Sequence, residues 1–212
     1  MSRTATDEAV VMYSDYVCPF CYLGKASLEQ YREGREESVE VEWHPFDLRG
    51  HKRDSTGEID ESVEDGKDEA YFEQAKQNVR RLQDEYDVEM DLEIATDIDS
   101  WNAQQASLYV RRAFPEEFAA FHDAVYDALW QEGKDIGDPE VLTTIADEVG
   151  IDPEGVREAT EDPDLEADLR EYFRSAQEAG VTGVPTFAYD GYAARGAVPP
   201  EQLRRLVEGT EN

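Results

Sequence analysis

The only two cysteines of this chain stand three residues apart, in Tyr16-Val17-Cys18-Pro19-Phe20-Cys21-Tyr22-Leu23-Gly24-Lys25, directly after the apolar run Val10-Val11-Met12-Tyr13. A structural disulfide stabilises chiefly by closing a long loop, and a Cys-x-x-Cys pair closes almost none. Two thiols within one helical turn, placed just after a strand, therefore read as a redox dithiol. They also fix a local architecture: a buried strand over 9–14 delivers the chain into a helix that opens at Pro19. Proline is tolerated in the first turn because its missing N–H would have no partner there.

From Pro19 to about Gly34 the pattern is helical, with Cys21, Leu28 and Tyr31 able to share a face. Val39-Glu40-Val41-Glu42-Trp43 alternates with period two and reads as a half-buried strand. Strand, helix and strand in that order predict a parallel unit. Residues 49–67 are polar and read as a long acidic surface loop. Beyond them Phe72, Ala75, Val79, Leu82 and Tyr86, then Phe118, Phe121, Val125 and Leu129, recur at helical steps. Asp138-Pro139 and Asp152-Pro153 each combine an N-cap with proline at the first helical position. Leu165, Leu169, Tyr172, Phe173 and Ala176 stripe a last helix before Gly180, so 68–179 is expected to be essentially all helix. After it come a strand over Val184–Tyr189, a hairpin turn at Asp190-Gly191, a return strand over Tyr192–Arg195 and a final helix opened by Pro199-Pro200.

With the helical block set aside, the element order is that of a thioredoxin fold. The expectation is an α/β chain whose N-terminal βαβ and C-terminal ββα units, 9–48 and 181–209, form a thioredoxin-like domain. The all-helical insertion spans 68–179, and residues 1–8 are a tail. The cysteine pair falls at the end of the first strand, where this fold places its active site.

The charge balance narrows the partners. Acidic residues number 51 against 20 lysines and arginines, a net charge of -31, spread along nearly the whole chain. A dispersed excess reads as adaptation of the surface to salty solvent, where a Debye length of about 3 Å at 1 M screens the repulsion. Without a basic patch, nucleic-acid binding is not expected. No apolar run is long enough for a membrane span, and Met1–Glu8 carries none of the blocks of a signal peptide. A cytoplasmic setting is therefore expected, where a Cys-x-x-Cys is catalytic or metal-binding rather than structural. A zinc site needs two further ligands. His44, His51 and His122 lack ligand spacing and are read as surface or loop residues, so no metal is expected.

At the head of the helix, unpaired N–H groups and the positive dipole end favour a thiolate on Cys18. Cys21, one turn further in, becomes the resolving thiol that breaks a mixed disulfide. Pro19 and Phe20 cover the sulfurs. Val184-Pro185, opening a strand, is a candidate cis peptide whose backbone would pair with an extended cysteine-containing substrate. Asp15 either caps the turn into the helix or accepts a proton from Cys21, and the cap is preferred. Lys25 is read as a solvated helix position. Phe72, Trp101, Phe118 and Trp130 are read as packing of the helical block.

The stretches Ser14–Lys25, Trp43-His44-Pro45-Phe46-Asp47-Leu48 and Gly180–Phe187 together resemble the DsbA family of thiol oxidoreductases, and within it FrnE-like proteins. These are similar in fold to 2-hydroxychromene-2-carboxylate isomerase and kappa-class glutathione transferases. The resemblance implies that Cys18 and Cys21 are the redox pair, with Pro185 the cis-proline facing them; Val184, Pro19 and Phe20 are read from their places around the dithiol as contacting substrate. It implies no cofactor beyond the dithiol, and cysteine-containing proteins or small thiols, glutathione among them, as partners. The isomerase and transferase branches carry serine where this chain has Cys18, which favours the oxidoreductase branch. Many relatives also show Asn-Thr-x-x-Ala-His where this chain reads Asn102-Ala103-Gln104-Gln105-Ala106-Ser107, so their histidine is Ser107 here. Two rival functions stay open: a glutathione-dependent isomerase or transferase, and a redox-sensing binding protein without turnover. Direction of electron flow, physiological substrate and oligomeric state are not legible.

Overall fold

The computed structural model describes residues 9–54, 56–60, 62–64, 66, 68–91 and 98–209. The expected tail at 1–8 lies outside them. Four strands, β1 (Val10–Ser14), β2 (Val41–Pro45), β3 (Thr186–Tyr189) and β4 (Tyr192–Arg195), form one mixed sheet in the order β2-β1-β3-β4. β1 pairs parallel with β2, Met12 opposite Trp43, and antiparallel with β3, Met12 opposite Phe187. Asp190 and Gly191 both have positive φ, 47° and 80°, as a type I′ turn between β3 and β4 requires.

Alternation along β1 sends Val10 and Met12 to one face of the sheet. There they pack with Phe187, with Leu28 and Tyr31 of α1 (Pro19–Glu33) and with Leu203 of α8 (Pro200–Glu208). The stretch between β2 and β3 folds into α2 (Glu69–Tyr86), α3 (Trp101–Ala113), α4 (Phe118–Trp130), α5 (Pro139–Glu148), α6 (Pro153–Thr160) and α7 (Pro163–Glu178). The carboxylates of Asp68, Asp138, Asp152 and Asp162 each accept a first-turn N–H, and three of these four caps precede a proline.

Helices α3–α7 do not build a core apart from the sheet. Leu108, Phe121, Tyr126, Leu142 and Leu169 share one continuous apolar cluster with Tyr16, Cys18, Cys21 and Trp43. Helix α2 packs elsewhere, setting Val79, Leu82 and Tyr86 against Leu23. The dithiol turn is thus enclosed on several sides by the helical block.

Within 49–67, Arg53 is anchored rather than solvated. Arg53 pairs with Asp47 at 2.6 Å and with Asp99 at 2.7 Å, and its guanidinium lies over the Trp101 ring at 4.5 Å. A short bridge from Arg53 to Ile59 closes the strap. The arginine is only 8% exposed. Its partners come from two other segments, which local composition does not reveal.

Gly24, inside α1, lies where a Cβ would come 3.0 Å from Pro185 Cγ and 3.2 Å from Phe187 Cζ. Alanine gains about 1 kcal/mol of helix propensity there, which offsets a contact that gives by tenths of an ångström. Valine cannot fit without pushing α1 off Pro185. Gly24→Ala is expected to be close to neutral in urea unfolding, and Gly24→Val to lose about 1–3 kcal/mol. Equal midpoints for the two variants would show that this contact does not set the spacing.

Candidate active site

β1 ends at Ser14, and the turn Asp15-Tyr16-Val17 carries the chain to Cys18 as the N-cap of α1. Cys18 holds an extended backbone, φ -94° and ψ 113°, and its carbonyl accepts the N–H groups of Cys21 (2.9 Å) and Tyr22 (3.4 Å). Its side chain makes no capping bond. The thiol instead donates to the Val184 carbonyl across the cleft, at 3.6 Å. The Val184–Pro185 bond is cis, Pro185 is buried, and Val184 is half-buried. Both cysteines are free thiols. They differ little in cover, 4% exposed for Cys18 and 0% for Cys21. Burial, reinforced by the neighbouring Cys18 thiol, pushes the Cys21 thiol well above its ordinary range. Pro19 is buried, whereas half-buried Phe20 packs against the cluster of Leu23, Val79, Leu82 and Tyr86.

Asp15 is 1% exposed. Its Oδ1 accepts from Ser100 Oγ at 2.6 Å and from the Val17 N–H at 3.3 Å, and its Oδ2 accepts from the Leu48 N–H at 2.8 Å. Burial raises its pKa to about 6, against the pull of those donors, and Asp47 adds to the rise. The Val17 bond is a turn bond, and Asp15 also lies close enough to Cys21 for the two charges to feel each other. The carboxylate therefore closes the turn that leads to the dithiol.

Two histidines sit where a surface reading does not place them. His122 of α4 is buried, ringed by Phe118, Trp43, Tyr16 and Tyr126 at 5.1–5.3 Å between centroids. Burial drives its pKa down to about 3, so the ring is neutral. Its Nδ1 meets the Tyr16 hydroxyl at 2.5 Å, and Ser107 Oγ meets the same hydroxyl at 2.6 Å. His44 of β2 is buried between Tyr13 and α7, with Nε2 on Ser175 Oγ at 3.1 Å. Only His51 is exposed. A lone histidine in an apolar stripe shows no periodic signal of its own. Its burial comes from elements far away in the chain.

Lys25 is likewise covered, 16% exposed, with Glu29 at 2.6 Å and Asp123 of α4 at 2.9 Å. Trp130 reaches beyond the helical block and donates its indole N–H to the Tyr16 carbonyl at 2.8 Å. Tyr16 is thus held at both ends, and with it the turn that aims Cys18. Tyr126 is fully buried in the same cluster, and its hydroxyl lacks a hydrogen-bond partner among the described residues. Ser100, Gln104, His122, Tyr126 and Trp130 all gather on Asp15 and Tyr16, in the turn that leads to the dithiol, without a sequence signal that would single them out. Among the described residues no group of three or more His, Cys, Asp or Glu is arranged to hold a metal. No helix among them is long and apolar enough to cross a membrane.

This arrangement can carry thiol exchange: one thiol at a helix N-terminus against a backbone carbonyl, a second one turn further in, and a buried carboxyl in the turn that precedes them. Residues 9–208 match the family model of the DSBA-like thioredoxin domain. The chain is 28% identical over 202 residues to an uncharacterized protein, YwbO, of Bacillus subtilis, covering 93% of this chain and 94% of that one. It is 25% identical over 183 residues to 2-hydroxychromene-2-carboxylate isomerase of Sphingobium xenophagum, covering 86% and 89%. The crystal structure of a probable DsbA oxidoreductase from Streptomyces coelicolor superposes with a TM-score of 0.76 at 24% identity, over 96% of this chain and 91% of the other.

Proposed function

The chain belongs to the family of DSBA-like thioredoxin domains, and from that membership and the geometry of its dithiol we infer that it is a thiol–disulfide oxidoreductase working through Cys18 and Cys21. The observation that carries this reading is the Cys18 thiol at the α1 N-cap, turned onto the Val184 carbonyl with Cys21 one turn beneath.

In the reducing direction the Cys18 thiolate attacks one sulfur of a substrate disulfide. The Cys18–substrate S–S bond forms, the substrate S–S bond breaks, and the departing thiolate takes a proton from solvent. Cys21 then gives its proton to Asp15 and attacks Cys18 Sγ. The Cys18–Cys21 disulfide forms, the second substrate thiolate leaves, and two electrons have passed to the substrate. Run backwards, the same steps oxidise a dithiol. The attacking sulfur is Cys18, which stands at the N-cap of α1 against the Val184 carbonyl. Val184 and Pro185 shape the cleft in which an extended substrate pairs, with Pro19 and Phe20 beside it. The dithiol is itself the redox centre, so no cofactor is needed. The electron partner is a cysteine-containing protein or a small thiol such as glutathione, in a cytoplasmic setting.

Equilibration with glutathione redox buffers, followed by mass spectrometry of trapped thiols, tests the reading. One two-electron Cys18–Cys21 couple is the expected result. A potential near -270 mV would mark a reductant and one near -120 mV an oxidant. Failure to form the intramolecular disulfide at any poise would overturn the assignment.

A further inference from the structure

Ser100 occupies the N-cap of α3, a position where serine ordinarily turns its oxygen to accept an N–H of the first helical turn. Here it makes no such bond. Its hydroxyl faces inward, 2.6 Å from Asp15 Oδ1, and Ser100 is 2% exposed. One turn along, the Gln104 side chain explains the choice. Gln104 Nε2 lies 3.2 Å from the Phe46 carbonyl, an oxygen that can only accept, so the amide must present its NH2 group on that side. The same nitrogen stands 3.0 Å from Ser100 Oγ and 3.4 Å from Asp15 Oδ1. With Gln104 donating into the serine oxygen, the single hydroxyl proton is left for Asp15. The amide is held in this orientation although its own Oε1 is buried and has no hydrogen-bond partner among the described residues. Asp99 Oδ1 accepts the Trp101 N–H at 3.0 Å and caps the helix in place of the serine; one amide oxygen goes unmatched, and what Ser100 and Gln104 share is a donor aimed at Asp15.

We propose that Ser100, oriented by Gln104, is a positioning residue that keeps the Asp15 carboxylate charged and so ready to take the proton of Cys21. The proposal rests on the reading of Asp15 as the proton acceptor for the resolving thiol. The titratable groups facing Asp15 are Cys21 on α1, Tyr16 in its own turn and Asp47 after β2. Asp47 is itself paired with Arg53. None of these donates a hydrogen bond to the carboxylate, whereas Ser100 does. A hydroxyl bond to the charged form favours ionisation, so its loss must move proton uptake to higher pH.

The test is the pH dependence of disulfide reduction in Ser100→Ala and in Ser100→Gly. Glycine is an accepted N-cap residue, and it keeps the assay available if alanine impairs folding. The acid limb of kcat/KM is expected to move up by about one pH unit, so that the rate at pH 5 falls about tenfold while the plateau above pH 8 is retained. Ser100→Thr, which keeps the hydroxyl, is expected to restore the wild-type limb. A limb that stays in place in both hydroxyl-free variants overturns the proposal, even if stability drops, because a merely structural cap would change stability alone. Asp15→Asn separates the two claims. If it abolishes the acid limb while the Ser100 variants leave the limb unmoved, only the role of Ser100 fails. If Asp15→Asn leaves the limb intact, the reading of Asp15 fails, and the proposal with it.

Discussion

Cys21→Ser is expected to accumulate a covalent adduct between Cys18 and its substrate, whereas Cys18→Ser forms none and exchanges disulfides no faster than the spontaneous reaction. The asymmetry follows from position and chemistry rather than depth, since both thiols are buried. Cys18 sits at the helix N-terminus with its thiol on the Val184 carbonyl. Cys21 is fully enclosed, and burial holds it protonated well above the ordinary thiol range. A thiol of that kind is inert toward an outside disulfide and reacts only when a sulfur is delivered to it. Without it, the mixed disulfide has no internal route to release. Incubation with a disulfide-bonded peptide, quenching in acid and intact-mass measurement read the adduct directly. Adduct on Cys21 in the Cys18→Ser protein would reverse the assignment of roles. The same pair of variants decides against a glutathione-dependent isomerase, for which Cys21→Ser would be silent and Cys18→Ser would keep much of the activity.

What the sequence discloses about this site is what lies close together along the chain. The strand, the Cys-x-x-Cys turn and the opening proline occupy residues 10–21, and periodicity and helix-start chemistry identify each of them. The hairpin at Asp190-Gly191 is readable for the same reason, since only residues tolerant of positive φ suit a type I′ turn. The second strand shows the limit of a local pattern. Alternation marks 39–43, but pairing with β1 places the strand at Val41–Pro45. The residues that surround the dithiol come from α3 and α4, 80 to more than 100 positions away, and nothing in their own neighbourhoods marks them. Ser107 and His122 meet at one tyrosine hydroxyl because two helices pack on the turn that carries it. Lys25, Arg53 and His44 mislead for the converse reason. Each looks solvent-facing by residue type, and each is covered by a partner that only tertiary packing brings.

The other large effect concerns Asp15. Asp15→Asn is expected to gain about 2.5 kcal/mol of stability relative to the wild type between pH 4 and pH 8. The carboxyl is raised from an ordinary 3.8 to about 6 in the folded protein, chiefly by burial. For a group raised in this way, the stabilising contribution is complete below the unfolded value and is lost as pH climbs through the folded one. At 1.36 kcal/mol per unit, the rise costs the wild type about 3 kcal/mol once the group is ionised in both states. Asparagine carries no charge to bury, so it escapes that loss. It also surrenders part of the bonding to Leu48, Val17 and Ser100, but that loss is the same at pH 4 and at pH 8 in the variant and cancels from the pH-dependent difference. Urea unfolding of both proteins at the two pH values measures it, and a flat difference would mean that Asp15 titrates normally. The gain in stability comes with a kinetic cost. With no base beside Cys21, resolution of the mixed disulfide should slow by about a hundredfold at neutral pH, near the lower end of what a positioned base contributes. A variant that is both more stable and slower to release its substrate would show that a carboxyl kept where burial opposes its charge serves as the proton acceptor for Cys21.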